Sequence, residues 1–495
     1  MKPHKAMILI LLIFLVSVAF RLYFSFQTEQ YSDSDSFFHL RYIEHIKETY
    51  KPMDSDTLSF SGKQRQIRQI PFFDYILAGL SFIPYAYKIF PALFLSLTVI
   101  VSYFLALKLK EDNVAALLSA LMTAFLPSIL VPTLNKISAF SLILPLVLYM
   151  VYCLIRIEEE AFLNQFVVLC FILPVIHPLA LLVSASFMIY IILVASEPNL
   201  KLSSLRKEAI IFSIFLALLI EFIIYKKAFL ALGLSVIWQN IPSQMLLEQL
   251  EKANLLDLIY SIGIIPFILG IVGIIMGITK DKTHSVLITV SIAIAPLALL
   301  ALKMFTLSNA LIVLGPILAI TSAITMKKFF TYLRITKFSK YEELSKYLAL
   351  ILITLIIVIP AWFTAGQVIQ DTITKDEIIV LEQLGGETSS DMIIASSAEE
   401  GHYITYFAKR KDVIDKNFLY VSNIDARYND IKTLYTTIAS SEALEITHKY
   451  GIDYIYLSSR TKKIFGIEGL NYATDGKCFR KVANVGEVEA YKVRC

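Results

Sequence analysis

Residues 6–41 read AMILILLIFLVSVAFRLYFSFQTEQYSDSDSFFHLR, an apolar run followed by an acidic cluster. The apolar part is long enough to cross a bilayer, and no small-residue cleavage site follows it, so we interpret it as an uncleaved membrane helix. Asp33 and Asp35 then follow at spacing i, i+2. Two carboxylates at the edge of a membrane can hold one divalent cation or take a proton from an acceptor.

The whole chain shares this apolar character. Its 495 residues are 57% hydrophobic and 17% charged, which is too apolar for an ordinary soluble protein. The net charge of +4 is small against 45 basic and 41 acidic residues, and the sequence has no basic stripe of the kind that nucleic acid requires. We therefore expect a polytopic α-helical membrane protein that contacts membrane lipid and binds no nucleic acid.

Apolar runs predict about eleven spans, within a fold of about 11–13 transmembrane helices. A further run, residues 70–87, contains Asp74 and two prolines, and we predict that it lies at the interface without crossing. The predicted spans are 6–25, 90–107, 113–131, 138–155, 161–176, 179–196, 209–225, 258–279, 285–302, 305–326 and 347–367.

The distribution of lysine and arginine predicts the orientation. If the N-terminus is cytoplasmic, most basic loops fall on the cytoplasmic side. The outer face then holds residues 26–89, the short turn 131–137, the loop 226–257 and everything after about 368. We expect a multi-pass protein of the cell membrane whose C-terminal part is extracytoplasmic, on the same side as the acidic cluster.

The composition changes at about residue 368, which separates a predicted transmembrane domain, 1–367, from a C-terminal domain, 368–495. Short alternating runs at 391–396 and 454–458 are typical of strands, and helical patterns lie between them. These features predict a small α/β domain. It contains Cys478 and Cys495, whose pairing the sequence leaves open.

The acidic cluster continues as Asp35-Ser36-Phe37-Phe38-His39-Leu40-Arg41. An Asp-x-aromatic-aromatic-His-Leu-Arg pattern in the first outer loop of a multi-span region, followed by a soluble domain, resembles the catalytic subunits of single-chain archaeal and bacterial oligosaccharyltransferases. These are GT-C glycosyltransferases. The resemblance implies a polyprenyl-linked sugar donor and a protein or glycan acceptor. It makes Asp35 a catalytic residue and ligand of a divalent cation, Mg or Mn, with Asp33 as its catalytic neighbour.

Two departures from the family pattern matter. The place of its second acidic pair reads Thr133 to Phe140, without a carboxylate. A metal-independent mechanism with Asp35 as base is therefore nearly as well supported. The place of its Trp-Trp-Asp-Tyr-Gly motif, which recognises the acceptor, reads SAEEG at residues 397–401, without tryptophan. The resemblance assigns acceptor binding there to Glu399, Glu400 and His402.

Other family features have counterparts elsewhere. A functional glutamate of a long outer loop corresponds to Glu248, a further acceptor-binding candidate. Lys303 occupies a place comparable to an arginine that contacts the lipid phosphate, and Arg41 and His39 are further donor-phosphate candidates. Lysine supplies charge for a phosphate but not the bidentate fork of arginine.

The sequence thus favours a membrane glycosyltransferase that moves a sugar or oligosaccharide from a polyprenyl-phosphate or diphosphate carrier to an acceptor on the outer face. The alternative is a catalytically lapsed relative that binds carrier lipid or a partner without transfer. The alternative for Asp33 and Asp35 themselves is that they are solvated carboxylates where Ser34 or Asp35 caps a helix. The aromatic pair followed by His-Leu-Arg favours function over this alternative.

Overall fold

The computed structural model of the chain describes residues 3–62, 65–66, 71–233, 241–252, 254–419, 421, 423–473 and 476–495. The chain divides into two compact units. The membrane unit consists of Met1–Thr28, Leu80–Ile224 and Gln249–Gln370, and the α/β unit consists of Glu29–Gly79, Tyr225–Glu248 and Asp371–Cys495. The predicted domain division at residues 367/368 stays a prediction.

Helices dominate both units, as the apolar runs predict. In chain order the α-helices are α1 Pro3–Ser25, α2 Asp35–Thr49, α3 Phe72–Gly79, α4 Ala86–Lys110, α5 Asn113–Ala124, α6 Pro127–Thr133, α7 Phe140–Ile155, α8 Glu160–Ile176, α9 Leu179–Ala195, α10 Ser204–Ile224, α11 Lys226–Leu232, α12 Ser243–Lys252, α13 Leu255–Ile262, α14 Ile264–Met276, α15 His284–Ala301, α16 Leu307–Ile335, α17 Glu342–Gln370, α18 Lys375–Glu387, α19 Gly401–Tyr403, α20 Ile424–Thr436, α21 Ser440–Tyr450 and α22 Ser459–Phe465.

Each predicted span falls on a described helix, but the helices differ in length. Among the described residues, seven helical stretches are long and apolar enough to cross a membrane; one of them, Asn113–Thr133, joins α5 and α6, and another, Ile264–Asp281, extends α14 by a helical turn. The helices α7, α8 and α9 are apolar but shorter. The remaining predicted span coincides with α10, which also contains Lys207, Glu208 and Glu221. Of the predicted interfacial run, Ile70 lies outside the described residues, and the rest contains only the short helix α3 before α4 begins.

Close backbone approach holds α14 against α16 in the membrane unit. A Cβ atom on Gly273 would lie 2.1 Å from the carbonyl oxygen of Thr321, so only glycine fits there. The hydroxyl of Thr321 donates to the carbonyl of Gly270 at 3.1 Å, and that of Thr325 donates to the carbonyl of Leu269 at 2.7 Å. Small residues and interhelical hydrogen bonds are the usual means by which helices associate where lipid removes the hydrophobic driving force.

The α/β unit contains a five-stranded mixed sheet with the order β4-β3-β5-β7-β6. Strands β4, β3 and β5 are parallel, with β4 at the edge of the sheet, and β7 pairs antiparallel with β5 and β6. A separate antiparallel pair, β1 and β2, belongs to the first loop. The strands are β1 Ser55–Asp56, β2 Arg65–Gln66, β3 Ile393–Ala395, β4 Lys411–Asp412, β5 Tyr454–Leu457, β6 Phe479–Val485 and β7 Val488–Val493.

Local bonds fix both ends of the C-terminal part of the α/β unit, which runs from α18 to Cys495. A capping box begins α18, since the hydroxyl of Thr374 accepts the backbone N–H of Glu377 and the Glu377 carboxylate accepts that of Thr374. At the other end, Cys478 before β6 and Cys495 after β7 form a disulfide. The strands β6 and β7 are thereby closed at their outer ends.

The packing of α14 against α16 leads to a prediction for Gly273→Ala. We expect the free energy of unfolding to fall by about 1–3 kcal/mol, because the new methyl group overlaps the Thr321 carbonyl and forces the helices apart. Gly366→Ala in α17 is the matched control, since a Cβ atom at Gly366 meets nothing within 4 Å. The measurement is the thermal unfolding midpoint in detergent, and equal midpoints for the two variants would contradict the close packing.

Candidate active site

The acidic cluster of the first loop caps helix α2. The carboxylate of Asp33 accepts the backbone N–H of Ser36 at 3.1 Å and also the Ser36 hydroxyl. Ser34, the residue before the helix, makes no side-chain capping bond. The expectation that Ser34 or Asp35 caps the helix is therefore wrong, because Asp33 supplies the acceptor for the N-terminal N–H group. Catalysis by Asp33 stays a prediction.

Asp35 is the first residue of α2 and lies partly in solvent. Its side chain is 43% exposed, but the oxygen Oδ1 is enclosed and has no hydrogen-bond partner in the described part of the chain. Nε2 of His402 is 3.8 Å from this oxygen, too far for a hydrogen bond. Burial raises the pKa of the Asp35 carboxyl above its ordinary value, and the positive charge of Lys416 opposes this shift.

His402 connects Asp35 to the interior of the α/β unit. It lies in the short helix α19, is fully buried, and packs on the ring of Phe38 with centroids 5.1 Å apart. Its Nδ1 atom is 3.7 Å from Oδ2 of Asp415, and Nε2 is 3.2 Å from the amide nitrogen of Asn417. The imidazole thus has one carboxylate near each of its two nitrogen atoms.

Asp412 is the last residue of strand β4, Asp415 lies in the loop after it, and both are also fully buried. Asp412 accepts the backbone N–H of Phe60 at 2.8 Å, and Asp415 accepts the hydroxyl of Ser59 at 2.6 Å. Burial raises the pKa of Asp412 well above its ordinary value, and the neighbouring Asp415 raises it further. The two carboxylates therefore bind a segment of the first loop to the sheet of the α/β unit.

Helix α19 lies directly on the loop after β4 because residue 401 is glycine. A Cβ atom on Gly401 would be 2.3 Å from the carbonyl oxygen of Ile414 and 2.7 Å from Oδ2 of Asp412. The close approach brings His402 to the two aspartates. One ligand atom from each of His402, Asp412 and Asp415 lies within 4.8 Å of the others.

The surroundings of Asp35 do not supply a divalent-cation site of this kind. In the ranges that the structure describes, His402, Asp412 and Asp415 are the one group of three or more His, Cys, Asp or Glu residues with converging ligand atoms, and Asp35 is not among them. Mg²⁺ and Ca²⁺ take about six or more oxygen ligands, so Asp35 alone would leave almost all of them to water. The mechanism below is therefore derived without a metal at Asp35, whose ligand role stays a prediction.

Glu399 and Glu400 are adjacent but have different surroundings. Glu399 forms an ion pair with Lys416 at the partly exposed edge of the site. Glu400 is fully buried and accepts hydroxyl groups of Ser397, at 2.9 Å, and of Ser458 and Thr461. Burial raises the pKa of Glu400. Its three hydroxyl donors join the carboxyl ends of β3 and β5, which favours a structural role, and acceptor binding by either glutamate stays a prediction.

Two donor-phosphate candidates on α2 have carboxylate partners. Nδ1 of His39 is 2.7 Å from Oδ1 of Asp74, and Arg41 forms an ion pair with the buried Asp56. Burial acts to lower the pKa of His39, but Asp74 outweighs it and the net shift is upward. These pairs hold α2 to α3 and to β1, and phosphate binding by either residue would have to compete with them.

The remaining predicted residues lie elsewhere. Glu248, in α12, accepts the ammonium group of Lys432 at 2.7 Å within the α/β unit. Lys303 belongs to the membrane unit, where it follows α15 as an exposed residue with φ of 58°. Acceptor binding by Glu248 and donor binding by Lys303 stay predictions.

Sequence reasoning missed Asp412, Asp415 and Lys416. The available signal was an Asp-x-x-Asp-Lys spacing that begins at the last residue of a short strand, where the carboxyl ends of parallel strands gather polar residues. Aspartates at this spacing are common on solvated loops, so the spacing alone did not indicate that both would be buried beside a histidine.

The fold and site together define a polytopic membrane protein whose α/β unit places a buried histidine between a partly exposed aspartate and two buried ones. No family model matches the chain, and no curated protein sequence matches it.

Solved structures do match it along its length. The apo oligosaccharyltransferase of Archaeoglobus fulgidus is 12% identical with a TM-score of 0.65, and the match covers 100% of this chain and 75% of that chain. The same enzyme with Zn and sulfate gives 13% identity and a TM-score of 0.60, over 94% and 71%. ArnT from Cupriavidus metallidurans gives 10% identity and a TM-score of 0.56, over 98% and 97%. The chain therefore has the GT-C fold, which confirms the predicted fold class and the resemblance of a divergent sequence.

The His39–Asp74 pair leads to a prediction about pH. Because the folded-state pKa of His39 lies above the ordinary 6.5, its contribution to stability is complete below pH 6.5 and is lost as the pH rises through the raised value. His39→Gln should cost about 1.5 kcal/mol near pH 6 and much less near pH 9. Thermal midpoints across this range measure it. His45→Gln on the same helix is the control, and a pH-independent cost at His39 would refute the charged pair.

Proposed function

We propose that the protein is an integral membrane glycosyltransferase that transfers a sugar or oligosaccharide from a polyprenyl-phosphate or diphosphate carrier to a protein or glycan acceptor. Its fold is that of proteins solved with such lipids. The Archaeoglobus fulgidus oligosaccharyltransferase AglB was determined with an inhibitory peptide and a dolichol-phosphate, and ArnT with undecaprenyl phosphate. Fold alone does not give an activity, so the proposal depends on the site.

The observation that carries the proposal is the environment of the Asp35 carboxylate, which is partly enclosed and partly exposed. One of its oxygens is enclosed without a hydrogen-bond partner among the described residues, while the side chain as a whole is 43% exposed. Burial raises its pKa, and a general base works best when its pKa approaches the working pH. A carboxylate that is both reachable and more basic than usual suits deprotonation of an acceptor.

The reaction then balances without a metal at Asp35. The acceptor oxygen or nitrogen forms a bond to the anomeric carbon of the sugar as the bond from that carbon to the carrier phosphate oxygen breaks. The phosphate leaves with the electron pair, and the proton of the acceptor passes to Asp35. General base catalysis of this kind contributes about 10²–10⁴-fold to the rate.

The leaving phosphate requires positive charge. Lys303 is exposed, whereas Arg41 and His39 are engaged with Asp56 and Asp74, so we assign the donor phosphate first to Lys303. Lys416, whose pKa is raised by Glu399 and Asp35 against the effect of burial, stays protonated beside the base. It moderates the basicity of Asp35.

The disulfide supports the proposed orientation. Cys478 and Cys495 are bonded, and disulfides persist in oxidising compartments. This supports an extracytoplasmic α/β unit with a cytoplasmic N-terminus, and an acceptor on the outer face. Glu248 and Glu399 are the proposed acceptor contacts, since both lie in the α/β unit and are partly exposed.

The alternative, a lapsed relative that binds carrier lipid without transfer, is favoured by one observation. No described group of converging metal ligands includes Asp35. A transferase that needs a cation at this aspartate would therefore be inactive. A sugar-transfer assay on membranes of the wild type and Asp35→Asn separates the two proposals.

The test compares Asp35→Asn with the wild type in membranes that contain polyprenyl-linked sugars. We expect transfer of label from the lipid fraction to the acceptor fraction to fall by about 10²-fold or more, because asparagine cannot accept the proton. Glu48→Gln, an exposed change on the same helix, is the matched control and should leave the rate unchanged. Wild-type membranes that bind labelled donor but never transfer it would favour the lapsed relative.

The pH dependence gives an independent check. Asp35 acts as a base only when ionised, so the rate should decline as the pH falls through its pKa, and the midpoint should lie above the ordinary value of 3.8. The measurement is kcat/KM of the wild type against pH in stabilising buffer. A midpoint at or below 3.8 would argue against Asp35 as the base.

A further inference from the structure

The buried group His402, Asp412 and Asp415 has the features of a metal centre. All three side chains are fully buried, and one ligand atom from each lies within 4.8 Å of the others. Nδ1 of His402 is 3.7 Å from Oδ2 of Asp415, which is too long for a hydrogen bond. Two ligands about 2.1 Å from a tetrahedral Zn²⁺ are roughly 3.4 Å apart, so the observed spacing leaves room for an ion between them.

Asp412 supplies the second, independent observation. Its side chain is 0% exposed, and Oδ1 accepts the N–H of Phe60. Its other oxygen, Oδ2, has no hydrogen-bond partner in the described part of the chain. This oxygen lies towards helix α19, because a Cβ atom on Gly401 would be 2.7 Å from it. A buried carboxylate oxygen without a donor is costly unless a proton or a cation occupies it.

The ligand types restrict the ion. An imidazole nitrogen with two carboxylate oxygens suits first-row transition ions such as Zn²⁺ or Mn²⁺, whereas Mg²⁺ and Ca²⁺ prefer oxygen alone. We propose that His402, Asp412 and Asp415 bind one divalent transition-metal ion in the interior of the α/β unit. The site is separate from Asp35 and does not depend on the proposed transferase activity.

The ion would do two things. It would fasten α19 to the loop after β4, which also binds Ser59 and Phe60 of the first loop. It would also fix the imidazole with Nδ1 on the metal. Nε2 would then carry the proton on the side of Asp35, 3.8 Å away, and the Asn417 amide beside it would have to present its oxygen to this N–H. Metal-bound histidines commonly direct their second N–H to a carboxylate or a carbonyl.

The test uses the full chain purified in detergent. Metal analysis of the wild type should find about one equivalent of transition metal, which a chelator removes. Zn²⁺ or Mn²⁺ added to the stripped protein should raise the thermal midpoint by about 5 °C at a free-ion concentration roughly 100-fold above Kd. Mg²⁺ and Ca²⁺ should give little shift. A folded wild type that neither holds nor responds to Zn²⁺ or Mn²⁺ overturns the proposal.

Variants locate the ion. Asp412→Asn and His402→Gln should lose the bound equivalent and the shift, while Asp391→Asn, an exposed carboxylate that pairs with Lys411, should keep both. If Asp412→Asn folds and still binds metal with unchanged affinity, the assignment is wrong. If these variants do not fold, X-ray absorption spectroscopy of the metal in the wild type decides. The proposal requires one imidazole and oxygen ligands, and a metal coordination sphere without imidazole refutes it.

Asp35→Asn separates this site from the proposed catalysis. It should abolish transfer and leave the metal content and the midpoint shift intact. Loss of the metal in Asp35→Asn would place the ion at Asp35 and overturn the separate site. Retained metal with undiminished transfer would instead remove Asp35 from catalysis and leave the metal site standing.

Discussion

The α/β unit depends on how it accommodates carboxylates in its interior. Asp412 and Asp415 are fully buried, and each accepts a hydrogen bond from the segment Ser59–Phe60 of the first loop. Removing a carboxylate from water is costly unless donors or cations replace the lost hydration. The position of this loop segment against β4 follows from that requirement, because its N–H and hydroxyl groups are the replacement. Gly401 then allows α19 to approach, and His402 arrives with it.

The same requirement explains why adjacent residues have different roles. Asp33 and Asp35 are two positions apart at the start of α2, but Asp33 turns back to the N–H of Ser36 while Asp35 lies next to His402. Asp33 supplies a side-chain acceptor for one of the N–H groups that a helix N-terminus leaves unsatisfied, whereas the enclosed oxygen of Asp35 accepts no hydrogen bond from the described residues. Glu399 and Glu400 differ in the same way, since Glu399 forms a partly exposed ion pair and Glu400 is a buried acceptor of three hydroxyls.

Local pattern was enough to predict the helices and the small mixed domain, because apolar length and strand-like alternation are properties of continuous sequence. The role of Asp35, taken from the Asp-x-Phe-Phe-His-Leu-Arg motif, stays a prediction. Local pattern was not enough to identify Asp412 and Asp415. Their burial depends on tertiary structure, because β4 lies beside β3 and Phe60 donates from a loop some 350 residues away in sequence. Arg41 shows the reverse case. Its motif position indicated phosphate binding, but tertiary packing gives it Asp56 as a partner.

The tautomer of His402 links Asp35 to the buried aspartates Asp412 and Asp415. A neutral imidazole has one N–H. A cation on one ring nitrogen therefore leaves the proton on the other, which can then donate, and a proton on one nitrogen leaves the other as an acceptor. Nδ1 lies near Asp415 and Nε2 near Asp35 and Asn417. A cation or a proton in the interior of the α/β unit therefore changes what Asp35 encounters at the partly exposed end of the ring. The basicity proposed for Asp35 would then depend on the interior of the α/β unit as well as on the burial of Asp35 itself.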